Sequence, residues 1–337
     1  MYYFCMPERD IRINLATEQY LMNNKDFDEP LVLFYIQKPC IIVGRNQNTL
    51  EELNLDYVKK HQITVTRRVS GGGAVYDDLG NVSFSFVINA QDERFGDFKK
   101  MTQPIVEALH RMGATGAAVS GRNDILIDGK KFSGNAMYTK NGKTFSHGTL
   151  TYDVNLDVLS QALKVAPDKI ASKGIKSIRS RVTNLKPYLA PQYQNLTIDE
   201  FRDALLLSLF EAQDLAEIKD KEYHLTPDDQ QGIAQLNQEL YSNWDWVYGR
   251  SPEFTVKKRQ HFDMGTIDAR LSIEHGKIAQ IKFYGDFFGT KDVERLERQL
   301  QGTIYDAEHL TQKLQDIDLD QYFTGIKVSD LSQLIAP

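Results

Sequence analysis

Three consecutive glycines beside an arginine pair are the first feature of this sequence that could do chemistry. Residues 67–76 read RRVSGGGAVY, between two strand-like segments. Glycine permits backbone conformations with φ > 0 and lets a ligand approach the main chain without meeting a Cβ. Successive N–H groups can surround an anion, and Arg68 can add bidentate charge to a phosphate or carboxylate. The pattern indicates an anion-binding loop, although a glycine-rich turn with solvated arginines has the same composition.

A lysine and a carboxylate form the second candidate. Residues 120–124 read SGRND and residues 128–136 read DGKKFSGNA. Asp-Gly between two apolar runs is a hairpin signal, which would bring Asp124 and Lys131 onto adjacent strands. A cation beside a carboxylate suits a site that handles an acyl phosphate or its metal ion, whereas an isolated pair is more often a surface ion pair. Strand alternation places Lys131 on the face opposite Lys130, which we interpret as the solvated lysine.

Two further segments carry chemistry-bearing residues. His147 begins HGTL, and the glycine after it suggests a close backbone or ligand approach, although a lone strand histidine is more often structural. Residues 172–185 read SKGIKSIRSRVTNL, with no acidic residue between Lys169 and Lys186. A charge run is usually a solvated face, but the interleaved Gly, Ser and Ile favour a mobile loop that closes over phosphate. Residues 141–144 (NGKT) imitate the end of a Walker A loop without its first glycine, so we interpret them as a hairpin tip.

The elements that must position these residues are strands in the first 150 residues and helices beyond. Strands are predicted at 31–36, 41–43, 63–66, 82–88, 125–127, 131–138 and 144–154. Helices are predicted at 51–61, 97–112, 156–163 and 198–212. Pro104 predicts a kink or a break in the second helix. Thr197 and Glu200 predict a capping box at the start of the last.

Residues 249–252 (GRSP) are the best linker candidate and predict two domains, 1–249 and 253–337. The tail carries predicted strands at 254–262, 266–273 and 277–283 and helices at about 291–300 and 306–316. Its pattern favours a small α+β domain.

Bulk composition restricts the class of protein. The 337 residues include 41% hydrophobic and 26% charged residues, as in an ordinary globular protein. No apolar run approaches the roughly 18 residues of a membrane span, and the N-terminus lacks the pattern of a signal peptide. Two cysteines give no disulfide framework or metal-ligand spacing, which favours a reducing, cytoplasmic location. The net charge of −6 argues against bulk nucleic-acid binding but leaves local basic patches open.

Taken together, the motifs resemble the lipoate–protein ligase family, in its form with a C-terminal accessory domain. The resemblance rests on RRVSGGGAVY at 67–76, SGRND at 120–124, the lysine at 131 before FSGNA, HGTL at 147–150 and KGIKSIRSRVTNL at 173–185. It implies an α+β fold: a large mixed or antiparallel sheet flanked by helices, as in biotin and lipoate ligases, plus a small α+β domain. The implied activity is ATP-dependent ligation of lipoate to a lysine of an acceptor protein through a lipoyl-AMP intermediate.

The resemblance also assigns roles to individual residues. Lys131 is implied as the catalytic residue, contacting the acyl carboxylate and the α-phosphate. The implied ATP contacts are Arg68, Gly73, Ala74, Val75, Tyr76, Asn123, Asp124 and Lys131. The implied lipoate contacts are Arg68, Ser70, Gly72, Lys131 and His147. The implied adenylate loop contains Lys173, Gly174, Lys176, Arg179 and Arg181.

Cofactors and partners follow from the same resemblance. The resemblance implies ATP and Mg²⁺ as cofactors, with Asp124 as a candidate metal ligand. The implied substrate is lipoate, with octanoate as a second candidate. The acceptors are lipoyl-carrier domains of 2-oxoacid dehydrogenase complexes, the glycine cleavage H protein, or both, in a pathway of cofactor salvage. Asp77 departs from the family pattern, because many relatives have histidine there, which leaves its role open.

Other classes of protein make different demands on the sequence. A transferase on the same scaffold moves the acyl group through a cysteine thioester and needs a low-pKa cysteine, for which Cys5 and Cys40 are poorly placed. A biotin ligase would show a different, Arg-Gly-rich loop. A non-catalytic binder would not need both Arg68 and Lys131.

Overall fold

The computed structural model describes residues 1–121, 123–164, 181–248 and 256–336. The chain divides into two compact units. The first comprises Met1–Ile42, Leu53–Arg67 and Val75–Val247, and the second comprises Val43–Glu52, Arg68–Ala74 and Tyr248–Pro337. The predicted domain boundary at 249–253 lies outside the described residues and stays a prediction.

A seven-stranded mixed sheet organises the first unit. The strands are, in chain order, β1 (Tyr2–Cys5), β2 (Leu31–Tyr35), β3 (Cys40–Val43), β4 (Thr64–Arg67), β5 (Val75–Asp77), β6 (Asn81–Asn89), β7 (Ala118–Ser120), β8 (Asp124–Ile127), β9 (Lys130–Lys140) and β10 (Lys143–Thr151). The large sheet has the order β1-β2-β6-β10-β9-β8-β7, and a small sheet has the order β4-β3-β5. In the large sheet β1 and β2 are parallel and the other pairs are antiparallel. The expected mixed, mostly antiparallel sheet is therefore confirmed.

Helices cover both faces of this sheet. The helices up to residue 247 are, in chain order, α1 (Ile11–Asn24), α2 (Thr49–Glu52), α3 (Leu55–Lys60), α4 (Phe98–Arg111), α5 (Leu156–Ala162), α6 (Ile198–Phe210), α7 (Pro227–Leu236) and α8 (Trp244–Val247), of which α2 belongs to the second unit. On one face, Phe84 and Phe86 of β6 join the α4 and α6 side chains Ile105 and Phe201 in the main hydrophobic core. The helix α1 contacts β6 and β10. Among the described residues, no helix combines the length and apolarity that crossing a membrane requires.

Turn chemistry fixes the two hairpins that carry the candidate lysine and histidine. Asp128 and Gly129 have φ of +50° and +71°, and Asn141 and Gly142 have φ of +51° and +73°. Positive φ at both central residues is what a tight two-residue hairpin turn requires. Both predicted hairpins are confirmed, as is the capping box of Thr197 at the start of α6.

Two predictions of secondary structure need correction, and further elements were not predicted. The single helix predicted at 51–61 is two short helices, because Asn54 interrupts it and its side chain caps α3. The helix α4 continues through Pro104 without a break, and the carbonyl deprived of its donor belongs to the exposed residue Lys100. The elements β1 and α1 were not predicted. A C-terminal helix at Val328–Ile335 was missed as well.

The second unit contains an antiparallel three-stranded sheet packed against three described helices. The strands are β11 (Val256–Phe262), β12 (Gly265–Glu274) and β13 (Lys277–Gly285), and the helices are α9 (Val293–Leu300), α10 (Ala307–Gln315) and α11 (Val328–Ile335). Its core includes Leu271, Phe283, Leu296, Leu310 and Leu331, all buried. The expected small α+β arrangement of the tail is thus confirmed.

A buried carboxylate at the start of α7 makes stability depend on acid pH. The Asp229 carboxylate lies 2.6 Å from the Lys25 amine and accepts hydrogen bonds from the Tyr223 hydroxyl at 2.9 Å and the Thr226 N–H at 3.0 Å. Burial alone would raise the pKa of Asp229, but these donors outweigh it and lower the pKa to about 2. Because the folded-state pKa is depressed, the stabilisation is complete above the unfolded pKa of about 4 and is lost as the pH falls towards about 2.

Replacing Asp229 with asparagine is therefore expected to lower the free energy of unfolding at pH 7 by about 2 kcal/mol. The variant should also lose less stability than the unmodified chain between about pH 4 and pH 2. Denaturant unfolding at several pH values measures both effects. The same acid dependence in both proteins would contradict this assignment.

Candidate active site

The glycine loop lies in the second unit and is braced by its own arginine. Gly72 has a φ of +93°, which confirms the expectation that glycine is needed here. The Arg68 guanidinium donates to the Ser70 hydroxyl at 3.0 Å and to the carbonyls of Gly71 and Gly73 at 2.7 and 2.8 Å. Arg68 is only 6% exposed. In this structure its donors therefore fix the shape of the loop, and its contact with a ligand stays a prediction.

Close packing explains two of the three glycines. A Cβ on Gly71 would lie 2.6 Å from the Phe287 carbonyl oxygen, and a Cβ on Gly72 would lie 3.0 Å from the Phe288 ring. A Cβ on Gly73 would meet no described atom within 4 Å. Of the three glycines, Gly73 is therefore the one at which a ligand could approach the main chain. At Gly71 and Gly72 a side chain would collide with neighbouring residues of the protein.

The residues after the loop turn their side chains into the protein. Tyr76 is 4% exposed and its hydroxyl lies 3.4 Å from an Asp78 carboxylate oxygen; burial, followed by this carboxylate, raises the pKa of Tyr76. Asp77 is 1% exposed and accepts a hydrogen bond from the Gln37 amide at 2.7 Å. Asp77 therefore has a structural role in this structure, because its hydrogen bond with Gln37 joins two buried segments of the chain. Ala74 and Val75 are half-buried.

Arg67, the first arginine of the motif, has a structural role in the first unit. Its side chain donates to the Trp246 carbonyl at 2.8 Å, and the Trp246 indole N–H donates to the Arg67 carbonyl at 2.8 Å. These reciprocal bonds join β4 to α8 and account for the burial of Arg67.

Lys131 and Asp124 form the predicted pair across β8 and β9. The Lys131 amine lies 2.7 Å from the Asp124 carboxylate, and the two side chains are 38% and 37% exposed. The amine rests over Gly134, where an added Cβ would lie 2.7 Å from it. The pair is thus neither buried nor fully solvated, and its charges can reach a ligand.

A bulge in β9 determines which way Lys131 faces. The register pairs Ile125 with Ser133 but Leu126 with Lys131, so Phe132 is an extra residue on β9. A bulge of this kind reverses the alternation of side chains beyond it. Lys131 therefore shares a face with Gly134, whereas unbroken alternation would have placed it with Ser133, on the side of the main core.

His147 lies on the same face as Lys131 and is held by a glutamate that sequence reasoning missed. Its Nδ1 lies 2.9 and 3.0 Å from the two carboxylate oxygens of Glu18 in α1, and neither residue is appreciably exposed. The register pairs His147 with Ala136 of β9, two residues from Gly134. At roughly 3.4 Å per residue, Gly134, which lies beside the Lys131 amine, and Ala136, which pairs with His147, are about 7 Å apart along β9.

The face of the sheet around His147 carries small side chains. Ala136 of β9 and Ser85 of β6 flank His147 in the register, and Ser83 lies two residues before Ser85. All three are buried. The Ser85 hydroxyl has no hydrogen-bond partner among the described residues. Ala136, Ser85 and Ser83 thus form a strip of small side chains around His147, in a region where α1, which carries Glu18, contacts β6 and β10.

Asn123 binds within the protein rather than projecting from it. Its amide donates to the Asn135 carbonyl at 2.6 Å, and the Asn135 side chain donates back to the Asn123 carbonyl at 3.1 Å. A Cβ on Gly148 would lie 2.0 Å from the Asn135 side-chain oxygen, so the close approach predicted at this glycine is made by Asn135. A contact between Asn123 and an adenylate stays a prediction.

The basic segment is described only at its end. Lys173, Gly174, Lys176 and Arg179 lie outside the described residues, and Arg181 is exposed. After Arg181 the chain joins β9, because Val182 forms a parallel bridge with Lys131 and the Thr183 N–H donates to the Lys131 carbonyl at 2.9 Å. The predicted loop therefore ends on the main chain of the predicted catalytic lysine.

Neither cysteine is suited to form a thioester. Burial raises the pKa of the Cys5 thiol to about 12 and raises that of Cys40, which is fully buried, well above its ordinary value. Acyl transfer through cysteine needs a thiolate at neutral pH, so this chemistry is disfavoured at both positions. Among the described residues, no group of three or more His, Cys, Asp or Glu side chains could hold a metal ion.

Two family models together cover most of the chain. Residues 10–210 match the lipoyl protein ligase A/B catalytic domain, and residues 251–335 match the bacterial lipoate protein ligase C-terminus. The chain is 46% identical over 326 residues to lipoate-protein ligase LplJ of Bacillus subtilis, a match that covers 97% of each chain.

Solved structures with the same fold belong to similar proteins. P. falciparum LipL1 in complex with lipoate has a TM-score of 0.79 at 23% identity, covering 98% of both chains, and supports the fold alone. A bipartite lipoate protein ligase of Thermoplasma acidophilum, studied with its E2 lipoyl domain, has a TM-score of 0.61 at 29% identity, covering 75% of this chain and 98% of that one. A lipoate-protein ligase A bound with ATP has a TM-score of 0.57 at 26% identity, covering 74% and 99%.

Proposed function

This chain belongs to the lipoate–protein ligase family, and on that premise we propose how its residues carry out the reaction. The protein is an enzyme that uses ATP to attach lipoate to acceptor proteins. Its reaction begins with a difficulty of charge, since a carboxylate anion must meet a polyanionic triphosphate. The observation that carries the proposal is the partly exposed Lys131 side chain, which the β9 bulge places on the same face of the sheet as His147.

We propose that the first step forms lipoyl-AMP. A carboxylate oxygen of lipoate attacks the α-phosphorus of ATP, an O–P bond forms, and the bond to pyrophosphate breaks. The Lys131 amine acts as a fixed positive charge beside the carboxylate and the α-phosphate, where opposing charge is concentrated in the transition state. The loop carrying Arg68, Ser70 and Gly72–Tyr76 is assigned to ATP and lipoate, with Gly73 as its most open main-chain position.

The second step transfers the acyl group. The amine of an acceptor lysine attacks the carbonyl carbon of the anhydride, the bond to AMP breaks, and an amide forms with loss of a proton. The residues at 173–185 are proposed to shield the adenylate from water. Their C-terminal end is fixed at Lys131 through Thr183, which supports a role beside the reacting groups.

The acyl chain is proposed to lie along the small-side-chain strip towards His147. Ala136 is the small residue between Gly134 and the register position of His147, and the hydrogen-bonded His147–Glu18 pair marks the far end. Octanoate has a similar carboxylate and chain, so it is proposed as a competing substrate.

A magnesium ion suits the charge of this site. Asp124 offers one partly exposed carboxylate, and Mg²⁺ is usually held by one or two carboxylates together with substrate phosphates. Such an ion would offset phosphate charge. Asn123, which is tied to Asn135, positions the backbone at this carboxylate.

The proposed acceptors are lipoyl-carrier domains of 2-oxoacid dehydrogenase complexes and the glycine cleavage H protein. A ligase of similar structure has been studied with its E2 lipoyl domain, which supports this class of partner. We propose that the reaction takes place in the cytoplasm as part of lipoate salvage and involves neither a membrane nor a nucleic acid.

The protein, ATP, lipoate and an unmodified carrier domain suffice to test the proposal. A mass gain of one lipoyl group on the carrier, with AMP and pyrophosphate released and dependent on ATP, is expected. Transfer from an acylated carrier without ATP would instead show a transferase. Absence of any mass gain would show a binder.

A further inference from the structure

The backbone around Lys131 is held in an unusual way. The ladder between β9 and β10 ends at the pair of Asn135 and Gly148. On the other side, the bulge leaves Phe132 without a partner residue on β8. Lys131 is therefore located where the sheet has begun to lose its regular hydrogen bonds, and other groups must replace them.

A single side chain, that of Thr151, supplies part of this replacement. Its hydroxyl oxygen lies 2.9 Å from the Phe132 carbonyl oxygen and 2.8 Å from that of Thr183, so its single proton is donated to one of them or shared between both. The Thr151 carbonyl in turn accepts the Leu185 N–H at 2.7 Å. Thr151 is 8% exposed, so water cannot easily replace its hydroxyl. The last residue of β10 thus joins the bulge to the chain that returns after the basic segment.

Both joined segments adjoin Lys131 directly. Phe132 is the next residue in sequence, and Thr183 donates its N–H to the Lys131 carbonyl at 2.9 Å. A shift of either segment rotates the peptide that carries the lysine, and a misplacement of about 1 Å can reduce a rate about a hundredfold.

We infer that Thr151 is a positioning residue for Lys131, because its hydroxyl lies between the Phe132 carbonyl of the bulge and the Thr183 carbonyl of the returning chain and donates its single proton to one of them or shares it between both. The inference rests on the proposed role of Lys131 in adenylate formation. Thr151 itself does not touch substrate; it acts through the backbone on either side of the lysine.

The test compares Thr151→Val, which removes the hydroxyl at nearly constant volume, with Thr151→Ser, which keeps it. In the lipoate- and ATP-dependent release of pyrophosphate, Thr151→Val is expected to lower kcat about 10- to 100-fold, with KM for both substrates changed less than about threefold. Thr151→Ser should stay within about threefold of the unmodified enzyme. Thr151→Ala gives the same measurement if the valine variant does not fold.

Thr144→Val is the matched control. Thr144 is buried on the same strand and donates to the Tyr138 carbonyl at 3.1 Å, at the end of β10 away from Lys131. It should lose thermal stability but keep its kcat. An unchanged kcat in Thr151→Val, or equal losses of kcat in Thr144→Val or Thr151→Ser, would overturn the inference. If the unmodified protein releases no pyrophosphate, the proposed function fails. If the unmodified protein releases pyrophosphate and Thr151→Val has the same kcat, the proposed function stands and the inferred role of Thr151 fails.

Discussion

Alanine at position 131 is expected to reduce lipoyl-adenylate formation by about a thousandfold, the largest effect of any single substitution in this chain. The amine is the cation that the β9 bulge places on the face of His147, 2.7 Å from the Asp124 carboxylate. Without it, the negative charge that gathers around the α-phosphorus has lost its fixed counter-charge. Release of pyrophosphate in the presence of lipoate and ATP measures this step.

The fold should survive this substitution. The Lys131 carbonyl keeps its bond to the Thr183 N–H, and the hairpin bonds are made by the main chain. The ion pair with Asp124 is more than a third exposed on each side and contributes no more than about 1 kcal/mol. Lys130→Ala is the matched control, because Lys130 is the exposed neighbour in the same hairpin. Near-normal pyrophosphate release by Lys131→Ala would remove the basis of the assignment.

Gly134→Ala is expected to lower the rate of adenylate formation about 10- to 100-fold although it changes no charge. The added methyl group would lie 2.7 Å from the Lys131 amine and 2.9 Å from its last carbon. The flexible end of the lysine can move away, so the protein should fold while the amine is displaced from its position. Steady-state kcat and the thermal unfolding midpoint together distinguish displacement from damage.

A double-mutant cycle makes this second prediction specific. In the Lys131→Ala background, the added methyl group has no amine to displace and should cause no further loss. If Gly134→Ala reduced the residual rate equally with and without the lysine, the methyl group would be acting on the ligand or the sheet instead.

Local turn chemistry made the two hairpins predictable from the sequence. Asp128-Gly129 and Asn141-Gly142 adopt the positive φ values that such pairs favour. The sequence alone therefore places Lys131 and Asp124 on adjacent strands. It does not reveal the face on which Lys131 lies, because that face depends on the bulge at Phe132, which no turn residue signals.

The missed helix α1 shows why Glu18 was also missed. Asn14, Thr17, Glu18 and Gln19 are all buried in this helix, so its inward face does not have the apolar pattern on which sequence reasoning depends. Glu18 is buried because His147, 129 residues away, lies within hydrogen-bond distance. A tertiary contact of this kind leaves no local signal.

The two protonated thiols have a consequence for the substrate itself. Lipoate carries a cyclic disulfide, and a thiolate that meets a disulfide exchanges with it to form a mixed disulfide. Since burial raises the pKa of Cys5 to about 12 and holds that of Cys40 well above its ordinary value, neither sulfur is a ready nucleophile at neutral pH. The enzyme can therefore handle a ring that is easily opened by thiols without becoming covalently trapped by it.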